Sequence, residues 1–209
     1  MRPDDLDVAG FVVGVVERGA ELGPDRVREG DVLVGFASPG LRSNGYSLAR
    51  KVLLGDGAEL TDPAWAGADV TIADELLRPC VIYAPTMVSL VRDFGDALHA
   101  AAHITGGGIV GNVVRILPEA LDAVIDMTSF ATPEIFFEIQ RRGQVSADEM
   151  VRVFNCGLGM VVAVDAAQAA EVVASAQSSG IEAMVVGHVA AGTGPVSYTH
   201  LTLPTNREV

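Results

Sequence analysis

The sequence predicts an α+β fold, a mixed β-sheet flanked by helices, and three observations carry that prediction. Short β-branched runs alternate with segments whose apolar residues recur at helical spacing, so neither an all-α nor an all-β layout fits. Hydrophobic residues make up 49% of the 209 positions but aromatics only 5%, so the core has to be built from Val, Ala, Leu and Ile. No self-similar period marks a solenoid, and the length suits one large domain with a piece of another.

Taken in order, VAGFVVGVV at 8–16 is short and dense in Val, which predicts a strand, and GAELGPDRVREG at 19–30 reads as a linker behind it. GDVLVGFAS at 30–38 predicts a second strand. NGYSLARKVLLG at 44–55 starts on Asn44, spaces Leu48 and Val52 one turn apart and closes on Gly55, the pattern of a helix. VTIADELLRP at 70–79 predicts a helix stopped by Pro79, and TMVSLVRDF another, opened by Pro85 and stopped by Gly95. DALHAAAHIT at 96–105 suits helix or strand, and a strand leading into the following glycines is preferred. GIVGNVVRIL at 108–117 then predicts a helix ended by Pro118, and LDAVIDM at 121–127 a strand. PEIFFEIQRRG at 133–143 predicts a helix, as does SADEMVRVF at 146–154, where Ser146 and Glu149 have capping-box spacing. GMVVAVD at 159–165, AAQAAEVVASAQSSG at 166–180 and EAMVVGHVA at 182–190 complete the series as strand, helix and strand.

The last stretch, VSYTHLTLPTNREV at 196–209, crowds Thr, Pro and Asn without core periodicity and resembles the in-frame translation of a sequencing adapter. It is set outside the fold as a non-native tail, and its His200 is not a catalytic candidate. A net charge of −13 argues against nucleic acid as a partner, since phosphate backbones call for clustered Lys and Arg. Cys80 and Cys156 match no metal or disulfide spacing, and no His/Cys/Asp cluster at metal spacing stands out, so no metal ligand is assigned. Asp4, Asp5 and Asp7 are wrong for a signal peptide, and no apolar run approaches the roughly 18 residues of a membrane span, so a cytoplasmic protein is expected.

Three stretches can carry chemistry. In HITGGGIVGN, from His103, glycines between a strand and a helix let an anion meet bare N–H groups. His103 and Thr105 would add hydrogen bonds there, and His103 an acid or base, while a plain glycine turn beside a core histidine is the competing reading. In SNGYSLAR at 43–50, Ser43 and Asn44 either cap the next helix or hold an anion or a ribose hydroxyl, and Gly45 keeps the first turn open. In FNCGLGMVV at 154–162, Asn155 has an amide to offer a cleft beside Gly157, or the segment is a tight structural turn. Cys156 among small apolar residues reads as buried and unreactive. Asp126 at a strand end either orients a substrate or opens a turn, and His99 and His188 are expected at strand surfaces.

The stretches together, AGFVVGVVE, GDVLVG, SNGYSL, HITGGG and FNCGLGM with GHV and AGTG, resemble the aminoimidazole ribonucleotide synthetase family, also called phosphoribosylformylglycinamidine cyclo-ligase. The likeness runs from about Asp5 to Pro195 and implies the C-terminal domain of that type. On it, residues 1–24 would be the last strand and linker of an N-terminal ATP-binding domain, with 25–195 the C-terminal domain. The resemblance implies ATP-dependent ring closure of formylglycinamidine ribonucleotide in purine biosynthesis, with magnesium and a homodimeric whole enzyme. It makes His103 the catalytic candidate. Arg42, Ser43, Asn44, Gly45, Thr105, Gly106, Gly107, Gly108, Asn155 and Gly157 become candidates for holding substrate or phosphate. The family usually has His before SNGY where this chain has Arg42, and a Thr with Arg or Lys where it has Cys80 and Val81. A sister enzyme of the same superfamily, or a free-standing domain that binds a phosphorylated metabolite, are the alternatives. The chain by itself is expected to turn nothing over, and Gly107→Val to weaken ribotide binding with the fold intact.

Overall fold

The computed structural model describes residues 9–200, and the predicted elements from residue 30 onward appear in it in order. The first are β1 (Val32–Ala37), α1 (Tyr46–Leu53), α2 (Ile72–Leu76), α3 (Ala84–Phe94) and β2 (Leu98–His103). The glycines lead into α4 (Gly108–Val113), which tightens into a 3-10 turn before β3 (Leu121–Asp126). Then come α5 (Glu134–Gly143), α6 (Ala147–Val153), β4 (Leu158–Val164), α7 (Ala169–Ser178) and β5 (Ala183–Ala191). Local chemistry sets several starts. Thr71 and Asp74 form a reciprocal capping box ahead of α2, and Ser146 Oγ accepts from Glu149 N at 3.2 Å ahead of α6.

Six strands make one mixed sheet in the order β2-β4-β1-β5-β3-β6, where β6 is Val196–Thr199. Neighbours are antiparallel except β3 and β6, which run parallel. β1 sits among the inner strands and is buried on both faces, which is why its run is continuously apolar. Leu33 packs toward α1, α2, α4, α5 and α6 through residues such as Leu53, Ile109, Phe136 and Met150. Val34 and Phe36 face the other way, against Leu90 of α3 and Val172 and Ala176 of α7. The α+β layout of a sheet between two helical layers is therefore present, with a largely aliphatic core.

Three expectations are corrected. Residues 9–16 form no strand: Phe11, Val12 and Val15 are all more than 90% exposed, because no described strand pairs with them. Val8, which opens that run, lies outside the described residues. The segment set apart at residue 196 contributes Val196–Thr199 to the sheet, with Ala123 opposite Val196 and Ile125 opposite Tyr198. Main-chain pairing along β3 draws it in, and pairing needs no apolar periodicity. His99 is not at a surface. It is 1% exposed, and its Nδ1 lies 2.7 Å from Oδ2 of the equally buried Asp31, so the ring's polarity is met inside the fold. His188 is exposed, as expected.

Candidate functional site

β1 leaves the sheet through Ser38 and Gly40 into the SNGY loop, and this loop is fixed from beneath by the FNCGLG segment. Asn155 Nδ2 donates to Gly40 O at 2.9 Å, and its Oδ1 accepts from Gly157 N at 2.9 Å. Gly45, at φ 78°, caps α1 where a Cβ would stand 2.3 Å from Cε1 of Phe154. Only glycine fits such a contact at that φ. Asn155 is only 6% exposed, so its amide is spent on the chain itself. Gly157 is equally internal, since a Cβ on it would meet Ala131 O at 2.5 Å. The FNCGLG segment is thus a clamp on the SNGY loop.

β2 delivers His103 to the same corner, and Ile104 N bonds Gly159 O at 3.0 Å to tie the loop to β4. The glycines then turn into α4. Gly107 stands at φ 97° as its N-cap, while Gly108, at φ 61°, presses on α6 so closely that a Cβ would fall 2.1 Å from Val151 O. Asn112 stitches this loop. Its Nδ2 donates to Gly108 O at 2.7 Å and reaches Thr105 O and Gly106 O at 3.3 Å, while Thr105 Oγ1 donates to its Oδ1 at 3.1 Å. Asn112 is absent from the residues the sequence singles out. Its one signal is a polar residue, 3% exposed in the fold, in the otherwise apolar run GIVGNVV.

The first and second motifs meet at the surface. A Cβ on Gly106 would lie 3.5 Å from Oδ1 of Asn44 and near nothing else. Ser43 Oγ lies 3.9 Å from Sγ of the exposed Cys80. Arg42, at φ 64°, crosses between the loops: Nη1 donates to Ile104 O at 2.9 Å and to Gly159 O at 2.8 Å, and Nη2 contacts His103 Nε2. Its Cζ lies 5.7 Å from the centre of the Tyr83 ring, and Tyr83 meets His103 edge-on at 6.5 Å. Tyr83 is itself anchored by its hydroxyl to Ala37 O at 2.7 Å.

Electrostatics follow from these neighbours. Partial burial of the ring, and secondly the Arg42 charge, hold His103 below its ordinary value of 6.5, so it is neutral at pH 7. Burial alone pushes the Cys156 thiol up to about 12, which makes it inert. Asp126 opens a turn, its Oδ1 accepting from Thr128 N at 2.9 Å. Arg42, Ser43, Asn44, His103, Thr105, Gly106 and Gly107 therefore share one corner, whereas Gly45, Gly108, Asn155 and Gly157 shape it from inside. Exposed glycine main chain, a hydroxyl, an amide and a neutral imidazole suit a ligand rich in anionic oxygens.

A family described as AIR synthase related protein, C-terminal domain, matches residues 28–199. The chain is 46% identical over 190 residues to a phosphoribosylformylglycinamidine cyclo-ligase of Geotalea daltonii, covering 90% of this chain and 53% of that protein. It is 41% identical over 194 residues to one of Xanthomonas campestris pv. campestris, covering 92% and 56%. The chain thus spans about half the length of the curated relatives it matches. The crystal structure of thiamine-monophosphate kinase from Stenotrophomonas maltophilia K279a is similar in fold, with a TM-score of 0.55 and 21% identity. That likeness covers 88% of this chain and 54% of the kinase chain.

Proposed function

Because this chain belongs to the family described as AIR synthase related protein, C-terminal domain, we propose that it is the C-terminal half of a phosphoribosylformylglycinamidine cyclo-ligase. The reaction is ATP-dependent closure of formylglycinamidine ribonucleotide to aminoimidazole ribonucleotide in purine biosynthesis. ATP transfers its γ-phosphoryl group to the amide oxygen, converting a poor leaving group into a good one. The amidine-side nitrogen attacks the same carbon, the ring closes, and phosphate departs. Catalysis of this kind rests on positioning and on stabilising charge around the phosphoryl group.

The observation that carries the reading is the meeting of the SNGY and HITGGG loops, with Asn44 against Gly106 and His103 beside them. In this proposal Ser43, Asn44 and the main chain of Gly106 and Gly107 hold the phosphate oxygens. Thr105 and Gly108 keep that loop in shape, and His103 supplies a hydrogen bond at the reacting group. Among the described residues, no group of three or more His, Cys, Asp or Glu is arranged to hold a metal ion. Magnesium enters the proposal with ATP, whose main site is proposed in the N-terminal half of the whole enzyme. The whole enzyme is proposed as a cytoplasmic homodimer. No helix of the described residues is long and apolar enough to cross a membrane.

Calorimetric titration of formylglycinamidine ribonucleotide into the chain tests the reading. Binding is expected, weakened about tenfold or more, roughly 1.4 kcal/mol, in Gly106→Ala, whose melting temperature should match the parent. Absence of binding at millimolar ribotide would overturn the proposal. The chain alone is expected to turn nothing over, so conversion of the ribotide by the purified chain would contradict its assignment as half of a site.

A further inference from the structure

The sequence offers Arg42 as a free cation for phosphate, yet its guanidinium is committed elsewhere. Both hydrogens of Nη1 go to main-chain carbonyls, Ile104 O at 2.9 Å and Gly159 O at 2.8 Å. Those carbonyls belong to the end of β2 and to β4, which pair with each other, so the guanidinium is pinned to a rigid edge. Tyr83 lies along it, and the left-handed backbone of Arg42 holds the stem in place. Nε is buried and meets no partner, so the donor left for a neighbour is Nη2, and it contacts Nε2 of His103.

A guanidinium has donors and no acceptor, and it does not deprotonate in proteins. An imidazole nitrogen facing it must therefore present a lone pair, which places the ring proton on Nδ1. We propose that Arg42 is a positioning residue that holds His103 as the neutral Nδ1–H tautomer. The site then meets its ligand with a neutral hydrogen-bond donor, not with an imidazolium or a general base. This rests on the reading above only in that His103 faces the ligand; the tautomer itself is a property of the chain alone. The depressed titration of His103, due first to burial of the ring and second to the Arg42 charge, agrees with it, since an imidazolium would set donor against donor and charge against like charge. The other titratable groups at this corner are Tyr83, Tyr46 and Cys80.

Long-range proton–nitrogen NMR of the ring nitrogens in the intact chain, assigned with His103→Gln, decides the matter without any ribotide. At pH 7 the Nδ1–H form should exceed the other tautomer by about tenfold or more, the ratio expected of a charge-assisted hydrogen bond. In Arg42→Met the ratio should collapse and the titration midpoint of His103 should rise. A wild-type ring protonated on Nε2 would overturn the proposal, as would an unchanged ratio in a folded Arg42→Met. Should that variant not fold, the wild-type spectrum decides by itself. A chain with the expected tautomer that binds no ribotide would sink the cyclo-ligase reading and leave this one standing.

Discussion

His103 titrates below its ordinary value in the fold because its ring is partly buried and Arg42 stands against it. The unfolded chain therefore binds this proton more readily than the folded one, and the linkage has a definite sign. Stability contributed through His103 is intact above pH 6.5 and is lost as the pH falls from there through the lower folded value. Thermal melts of the parent and of His103→Gln across this window should diverge in that direction, the parent losing more on acidification. Parallel curves would mean that His103 carries no coupled proton. The sequence made His103 a candidate by its glycines; the nearby cation that sets its protonation came from Arg42, beyond the reach of any local pattern.

At the scale of elements, the glycine loop is held by one side chain on α4. Asn112→Ala removes side-chain bonds to Thr105, Gly106 and Gly108, the last of them buried, at a cost of about 1–2 kcal/mol. Chemical denaturation should register that loss together with weaker ribotide binding. The glycines themselves are not equivalent. Gly106 has room for a methyl group, Gly107 at φ 97° would strain any β-branched residue, and Gly108 is wedged against Val151 O. Gly107→Val is therefore a poor probe of binding, since backbone strain of about 1–3 kcal/mol accompanies any loss of affinity. Helices α1 to α7 were legible because apolar spacing and Pro or Gly at their ends are local signals, joined at α6 by the Ser146 cap. The packing of Asn155 under the SNGY loop was not, because it joins residues far apart in the chain.

Across the whole molecule, residues 9–16 carry apolar side chains that the described sheet does not cover, Phe11 at 94% and Val15 at 98% exposure. Exposed Val-rich chain of this kind is a template for strand addition. Replacing Phe11, Val13 and Val15 together by Ser should leave stability within about 0.5 kcal/mol, because nothing buried is lost. Light scattering of the concentrated protein should fall at the same time; a large drop in melting temperature would show that these residues are packed in solution. The strand expected there was assigned to an N-terminal domain, and a sequence with strand character becomes a strand only where an edge receives it.

The sequence by itself determined the order of the elements, the aliphatic core and the loops that bear the polar groups, since each follows from local spacing and from motif composition. Only the tertiary structure decided which of those groups share a surface. It joined SNGY to HITGGG, took Asn155 and Gly157 inside, buried His99 on Asp31, brought Val196–Thr199 into the sheet and turned Arg42 toward His103. Every one of these is a contact between distant segments, fixed by how the strands pair and the helices pack, which local spacing does not encode.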